Sequence, residues 1–233
     1  MSSVYCTISR RPPASWGGSP AKRRRAGTSG ASCRIGRELT PSGVRGRKLG
    51  HMRLTGGQDR GRRLFVPRGS RTRPTASKVR EAIFNILGPP PGRVLDLYAG
   101  SGALGLEALS RGATAAVFVE RDGVALSALR RNLREAGVDD RGAIIGADVR
   151  TALRKLATLN QPFSWVFLDP PYVKETDGVL AELSGGNLLT ACAVVIVEHD
   201  RRHQPSDSVG CLFLTDRRTY GDTELSFYRC SGS

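Results

Sequence analysis

The fold of this chain is decided by one stretch, Val94-Leu95-Asp96-Leu97-Tyr98-Ala99-Gly100-Ser101-Gly102-Ala103-Leu104-Gly105. Apolar residues around Asp96 predict a buried strand, and the glycines that follow predict a tight turn leading into a helix. Glycines let the backbone approach a ligand closely, and a helix N-terminus offers free N–H groups. A strand, a glycine-rich turn and a helix in this order are typical of a domain that binds a nucleoside cofactor.

Strand and helix patterns alternate after this turn, with short connections between them. The predicted strands cover residues 94–97, 116–120, 143–146, 165–168 and 193–198, and the predicted helices cover 103–111, 123–136, 149–159 and 176–183. Two last strands, 211–215 and 224–229, are separated by a short turn and form a hairpin. The pattern predicts an α/β fold with a doubly wound, mostly parallel, seven-stranded sheet.

Acidic residues near the glycine-rich turn indicate the cofactor. Glu120 ends the next predicted strand about twenty residues after the turn, where its carboxylate can accept both ribose hydroxyls. Gly100, Gly102 and Gly105 also fit a dinucleotide pattern, but Asp96 would repel a pyrophosphate and attract the ammonium of a methionine group. The local charge therefore favours S-adenosylmethionine over a nicotinamide or flavin cofactor.

Three further residues complete the predicted cofactor site. Tyr98 and Ser101 belong to the turn itself. Asp148 follows the third predicted strand, where it can accept the adenine amino group, cap the next helix, or do both.

The second motif is Asp169-Pro170-Pro171-Tyr172, which directly follows an apolar strand. The prolines fix the backbone so that the Asp169 carboxylate and the Pro170 carbonyl can point at one spot, and Tyr172 offers a face on which a base can stack. Two acceptors on an aromatic amine favour a pyramidal nitrogen aimed at a methyl donor. The catalytic residues predicted on this basis are Asp169, Pro170 and Tyr172.

Positive charge is concentrated at the start of the chain, which has a net charge of +15. Residues 1–51 carry 11 Lys and Arg against one acid, residues 52–80 carry nine against one, and the remainder is slightly acidic. The first segment is rich in Pro, Gly, Ser and Arg, which predicts a disordered extension. We expect three parts: extension 1–51, basic RNA-binding segment 52–91 and catalytic domain 92–233, with Met52 as a possible natural start.

Residues 52–91 are predicted to form a hairpin between Leu54 and Val66 and then a helix capped by Thr75 or Ser77. A basic front end on an acidic body is typical of enzymes that grip phosphates away from their chemistry. The RNA-binding residues predicted from this charge pattern are Arg60, Arg62, Arg63, Lys78 and Arg80. Lys78 and Arg80 are included because they lie off the apolar stripe of the helix.

Several classes of protein are disfavoured. Five scattered cysteines without a paired motif support neither a disulfide framework nor a zinc site, and no metal is expected. No apolar run is long enough to span a bilayer, and the N-terminus lacks the apolar stretch of a signal peptide. We expect a cytoplasmic protein, with import into an organelle as a minor alternative.

The chain resembles the bacterial small-subunit ribosomal RNA guanine-N2 methyltransferase family usually called RsmD. The resemblance spans residues 52 to about 229. It is carried by Met52-Arg53-Leu54-Thr55-Gly56-Gly57, Arg60-Gly61-Arg62-Arg63-Leu64, Arg73-Pro74-Thr75, Lys78-Val79-Arg80-Glu81, the loop and helix from Asp96 to Glu107, and Asp169-Pro170-Pro171-Tyr172.

This resemblance implies a Rossmann-like methyltransferase that modifies one guanine N2 in small-subunit (16S) rRNA, within a partly assembled 30S subunit. We also expect the protein to be a monomer. The resemblance implies that Asp169 and Tyr172 hold the guanine. It also implies two further sets of contacts: Asp96, Gly100, Gly102 and Glu120 would hold S-adenosylmethionine, and Arg73, Thr75, Lys78 and Arg80 would bind RNA on the substrate side. The residues also leave alternatives open: an amino-methyltransferase acting on DNA adenine or cytosine or on protein glutamine, or a non-catalytic RNA-binding assembly factor.

Overall fold

The computed structural model describes residues 50–67, 74–170 and 176–231, with the backbone alone for residues 74–76. A large sheet forms its centre, in the strand order β5-β4-β3-β6-β7-β10-β9-β8. The strands are β3 (Arg93–Leu97), β4 (Ala115–Glu120), β5 (Gly142–Gly146), β6 (Phe163–Leu168), β7 (Leu189–Asp200), β8 (Ser208–Val209), β9 (Leu212–Tyr220) and β10 (Thr223–Cys230).

The first five strands in this order, from β5 to β7, are parallel, whereas β10, β9 and β8 are antiparallel. The predicted mostly parallel α/β fold and its closing hairpin are therefore confirmed. The predicted count of seven strands is wrong for this sheet. The two-residue strand β8 adds an eighth at the edge, and so short a pairing carries no period-2 pattern that a sequence could reveal.

Helices cover both faces of the sheet, as a doubly wound fold requires. They are α1 (Pro74–Leu87), α2 (Ala103–Ser110), α3 (Gly123–Ala136), α4 (Val149–Ala157) and α5 (Thr176–Ser184). Residues of α1, α2 and α3 pack in one buried cluster, and residues of α4 and α5 pack in a second. Successive residues of β3 alternate between the clusters, with Val94 in the first and Leu95 in the second, because neighbouring side chains of a strand point to opposite faces.

The N-terminal part of the described chain packs on the first face. Strands β1 (Gly50–Arg53) and β2 (Arg63–Val66) form an antiparallel hairpin, and Leu54 and Leu64 are buried in the same cluster as Phe118 of the central sheet. The hairpin begins at Gly50, so Gly50 and His51 pair with β2 although they fall inside the predicted extension. The other residues of that extension lie outside the described ranges.

Helix α1 begins at Pro74, so neither Thr75 nor Ser77 lies at its N-cap, contrary to the prediction. Proline suits the first turn of a helix because its missing N–H has no partner to lose there.

Candidate active site

The two sequence motifs meet at one edge of the sheet. Strands β3 and β6 are parallel neighbours, and their register pairs Asp96 with Phe167 and Leu97 with Leu168. The residues that follow, Tyr98 on one strand and Asp169 on the other, therefore leave the sheet side by side. Two cavities open at this edge, and both are lined by Tyr98 and Asp169.

The larger cavity has a volume of about 380 Å³ and is lined by Glu120, Asp122, Asp148 and Pro170 in addition to the two shared residues. This volume lies in the range of pockets that bind cofactors and drug-sized ligands. The smaller cavity, about 150 Å³, is lined by Asp96, Gly100, Ser101 and Glu198 among others. Because the cavities share Tyr98 and Asp169, a molecule in each would meet its neighbour at these two side chains.

The glycines of the turn have two separate functions. Gly100 and Gly102 both have positive φ, 56° and 80°, which favours glycine over residues with a side chain. A Cβ on Gly102 would collide with Leu129, and one on Gly105 would collide with the Phe118 ring, whereas a Cβ on Gly100 would meet nothing within 4 Å. Gly102 and Gly105 therefore let the turn and α2 pack closely, and Gly100 leaves open space beside the backbone.

Tyr98 also has a positive φ of 57°, which a residue with a side chain rarely adopts. Such backbone strain persists where the surrounding structure fixes it, and it is concentrated at functional sites. Here it directs the chain into the turn between the two cavities.

Asp96 lies beneath the turn and is 2% exposed. Its carboxylate accepts a hydrogen bond from the Gly105 N–H at 2.8 Å. Burial raises the pKa of Asp96 to about 8; the Gly105 hydrogen bond opposes this shift, and the charges of Asp169 and Glu120 add to it. A cationic ligand group beside Asp96, Asp169 and Glu120 would lower the pKa of Asp96 and favour its charged form.

Glu120 holds the turn in place. Its carboxylate accepts the Gly100 N–H at 2.8 Å with one oxygen, and the N–H groups of Arg121 and Asp122, each at 2.8 Å, with the other. Asp122 in turn caps α3 by accepting from Val124 and Ala125. Since Glu120 lines the larger cavity, a ligand there would contact a carboxylate whose orientation is already fixed.

Asp148 lines the same cavity and caps α4, accepting the Arg150 N–H at 3.0 Å. It also lies 3.4 Å from Arg121. The expected capping function is therefore present, and the position also suits contact with a ligand.

The remaining predicted catalytic and turn residues divide into two groups. Asp169 and Pro170 line the larger cavity, and Ser101 lines the smaller one. Pro171 and Tyr172 lie outside the described residues, as does Arg73, and the side chain of Thr75 is likewise outside them.

The predicted RNA-binding residues differ in exposure. Arg60, Arg63 and Lys78 are exposed, as a phosphate contact requires, and Arg62 is partly engaged by Asp59 at 2.6 Å. Arg80 is 3% exposed, so it is not the exposed phosphate contact that was predicted, although it lines part of the smaller cavity. Its guanidinium pairs with Glu107 at 3.2 Å and donates to the Arg53 carbonyl.

Glu107 was not expected from the sequence to organise this region. It is fully buried on α2, and its carboxylate accepts the Thr55 N–H at 2.8 Å, the Thr55 hydroxyl at 2.7 Å, Arg80 at 3.2 Å and Arg111 at 2.9 Å. These contacts join the hairpin, α1 and α2. The one signal in the sequence is that Glu107 is the single charged residue in α2.

Asn132 is a second residue that the sequence did not reveal. It is 1% exposed, its amide donates to the carbonyls of Phe65 and Ser101, each at 2.9 Å, and its oxygen accepts the Phe65 N–H at 2.8 Å. One side chain of α3 therefore connects the hairpin to the glycine-rich turn. Its place between Arg131 and Leu133 gives no hint of burial.

Within the described ranges, no helix is long and apolar enough to cross a membrane. In the same part of the chain, His, Cys, Asp and Glu form no group that could hold a metal ion.

Comparisons with known proteins agree with this geometry. The profile of the family described as "Conserved hypothetical protein 95" matches residues 52–229. The chain is 38% identical over 184 residues to "Putative rRNA methyltransferase YlbH" of Bacillus subtilis, covering 78% of this chain and 100% of that protein. It is 38% identical over 157 residues to "Ribosomal RNA small subunit methyltransferase D" of Escherichia coli K12, covering 65% of this chain and 76% of that protein.

A solved structure gives the same result. "Putative methyltransferase yhhF" from Escherichia coli superposes with a TM-score of 0.69 at 33% identity, over 79% of this chain and all of that one. A family profile over most of the chain, close relatives and a matching structure agree. The chain therefore belongs to the RsmD family, that of ribosomal RNA small subunit methyltransferase D.

Proposed function

We propose that this protein transfers a methyl group from S-adenosylmethionine to the N2 amine of a guanine in small-subunit rRNA, within a partly assembled 30S subunit. The observation that carries the proposal is the shared edge of the two cavities, where Asp169 borders both. A donor in one cavity and an amine in the other would be held next to each other, which supplies much of the advantage of an enzyme over solution.

The residues present fit S-adenosylmethionine. Its ammonium and sulfonium groups are cationic. Burial, with a smaller contribution from the charges of Asp169 and Glu120, raises the pKa of Asp96, and a cation bound nearby would lower this pKa again. Glu120 would hold the ribose hydroxyls and Asp148 the adenine amino group in the larger cavity. When bound, S-adenosylmethionine supplies an electrophilic methyl group.

The residues of the Asp-Pro-Pro-Tyr motif would act on the base. The Asp169 carboxylate and the Pro170 carbonyl would accept the two N–H groups of the guanine amine, which turns its lone pair towards the donor. Asp169 would then take the proton that the amine gives up. A base within an RNA helix must leave its stack to reach this position. The Tyr172 ring would then hold the base by stacking on it.

The small-subunit rRNA substrate is supported by the name of the Escherichia coli relative, and the guanine N2 target by the resemblance of the motifs. Arg60, Arg63 and Lys78 are exposed and are proposed to contact RNA phosphates. Such a substrate is cytoplasmic, so that location is proposed as well. One copy of the chain supplies every residue used here, and we propose a monomer, which light scattering after size-exclusion chromatography tests.

The experiment supplies labelled S-adenosylmethionine to small subunits and their precursors from a strain that lacks this protein, and then maps the modified base. The variant Asp169→Asn should lower kcat by about a hundredfold or more, because an acceptor for the reacting amine is lost, while cofactor and RNA affinities stay within a few-fold. Asp139→Asn, an exposed acid in the turn before β5, is the matched control and should retain full activity.

Label on a guanine N2 of small-subunit rRNA supports the proposal. Label in DNA or on a protein glutamine would overturn it in favour of another amino-methyltransferase. A wild-type protein that labels nothing, together with an Asp169→Asn variant that restores subunit assembly fully, would instead indicate an assembly factor.

A further inference from the structure

Exposed arginines belong to two elements, the hairpin and α3, that contact each other and pack on the same face of the sheet. Three belong to the hairpin and its turn, and two belong to α3, on the same face of the sheet. We call this group the arginine face: Arg53, Arg60, Arg63, Arg130 and Arg134.

The hairpin and α3 are held together by contacts that leave this face exposed. Asn132 of α3 binds both backbone groups of Phe65, and the Arg131 guanidinium lies 3.3 Å from the centre of the Phe65 ring. Arg62 reaches across from the hairpin and donates to the backbone carbonyl of Glu135. The hairpin and α3, which carry the arginines, are therefore fixed relative to each other before any partner binds.

The nearby acids are already engaged. Asp59 pairs with Arg62, and Glu135 pairs with Arg131. Within the described part of the chain, no ion pair joins a carboxylate to any member of the arginine face. A cluster of like charges repels itself, and a polyanion relieves that repulsion.

We infer that α3, through Arg130 and Arg134, is a second contact for the rRNA backbone and extends the basic hairpin into one phosphate-binding surface. This inference rests on the proposed function for the identity of the RNA. Guanidinium groups bind phosphate oxygens in pairs, and phosphate contacts fix the position of a nucleic acid without reading its sequence.

The arginine face is connected through α3 to the glycine-rich turn. Asn132, in the second half of α3, also donates a hydrogen bond to the carbonyl of Ser101 in the glycine-rich turn at 2.9 Å. RNA bound along the arginine face is thus bound to the same rigid unit that holds the cofactor turn. The surface orients the RNA relative to the active site, and the Asp-Pro-Pro-Tyr motif selects the base.

The test compares the double variant Arg130→Gln/Arg134→Gln with the double variant Arg154→Gln/Lys155→Gln. Both remove two exposed charges from the second half of a helix, and glutamine keeps a high helix propensity. Helix α4, which carries the control positions, packs on the opposite face of the sheet. Affinities for naked small-subunit rRNA and for subunit precursors are measured between 50 and 200 mM KCl, together with cofactor affinity and steady-state methyl transfer.

The α3 variant should bind rRNA more weakly at 50 mM KCl. Each lost phosphate contact reduces the slope of log affinity against log salt by about 0.7–0.9, so the gap to wild type should shrink by about tenfold at 200 mM KCl for two contacts. Its KM for RNA should rise at unchanged kcat and cofactor affinity, and the α4 variant should match wild type.

Equal affinity and salt dependence of the α3 variant and wild type would overturn the inference. So would a loss of binding to precursors but not to naked rRNA, because the face would then contact a ribosomal protein. If the wild type methylates no rRNA, the proposed function fails, but the binding measurement still decides whether α3 contacts rRNA.

Discussion

Replacing the buried acid Glu107 by glutamine should destabilise the fold strongly. The Glu107 and Arg80 side chains are 0% and 3% exposed, and their charged groups lie 3.2 Å apart. All four groups that bind the carboxylate are donors, from Thr55, Arg80 and Arg111, so a glutamine amide would turn its own N–H groups towards donors. It would also leave the Arg80 charge buried beside a neutral group.

Breaking a buried ion pair by removing one partner costs about 3–5 kcal/mol. This is a large part of the roughly 5–15 kcal/mol by which domains are stable. The matched control is Glu135→Gln, which removes the Arg131–Glu135 pair. These partners are four residues apart, as Glu107 and Arg111 are, and lie 2.8 Å apart, but both side chains are more than 40% exposed. There we expect at most about 0.5 kcal/mol. Urea denaturation followed by circular dichroism measures the free energy of unfolding of both variants.

Acid provides a second measure of the same network. Burial alone would raise the pKa of Glu107, but the hydrogen bonds from Thr55 and Arg111 and the charge of Arg80 outweigh it, so this pKa lies below its usual value. The folded state then binds the proton less readily than the unfolded chain, and Glu107 contributes stability above about pH 4 that disappears on further acidification. Glu107→Gln should lose this acid-dependent part.

The double variant Arg80→Met/Glu107→Gln keeps the reasoning testable if Glu107→Gln alone does not fold. It removes both charges, and it should be more stable than Glu107→Gln because no unpaired guanidinium stays buried. A difference of less than about 1 kcal/mol between Glu107→Gln and Glu135→Gln would refute the reasoning.

Three further predictions follow from single residues. The pKa of Asp96, about 8, means that the folded state holds a proton which the unfolded chain releases near pH 4, so the free energy of unfolding should decrease from pH 5 to pH 8. Asp96→Asn should flatten this dependence, and parallel pH curves for the two proteins would contradict it. Asn132→Ala leaves the N–H and carbonyl of Phe65 and the carbonyl of Ser101 without their partner. It should lower the free energy of unfolding by about 1–3 kcal/mol, measured by urea denaturation, and weaken cofactor binding, measured by calorimetry. Unchanged values of both quantities would contradict this prediction. Gly105→Ala should lower the free energy of unfolding by about 1–3 kcal/mol, because its Cβ would overlap with the Phe118 ring. Gly123→Ala is the control, since a Cβ there meets nothing within 4 Å, and it should be neutral or slightly stabilising. Equal melting curves for the two variants would contradict the prediction.

The sheet and the cofactor turn could be predicted because their signals are local. Apolar runs such as Trp165 to Leu168 are surrounded by turn residues, and the order of strand, glycines and helix around Asp96 fixes where the turn lies. Parallel strands place their carboxyl ends at one edge, so the meeting of Tyr98 and Asp169 also follows from topology alone.

Arg80 shows where such reasoning fails. Helical periodicity places it off the apolar stripe, and an arginine there is normally solvated. Its partner Glu107 is 27 residues away on another helix, and the pair becomes favourable only once both are packed. Glu107 and Asn132 were missed for the same reason: their partners, Thr55 and Phe65, lie more than 50 residues away along the chain.

These distant contacts change how the basic segment is understood. Leu54, Leu64 and Phe84 share a buried cluster with Phe118 and Phe167 of the central sheet, so the hairpin and α1 pack into the core of that sheet. The buried side chains of Glu107 and Asn132 make this packing specific, because their hydrogen bonds can all form in only one arrangement of the hairpin, the helices and the turn. An RNA-binding surface joined to the enzyme by a flexible tether would only raise the concentration of RNA near the active site. One built into the core sets the orientation of the RNA as well, and orientation is what in-line methyl transfer to a weakly nucleophilic amine requires.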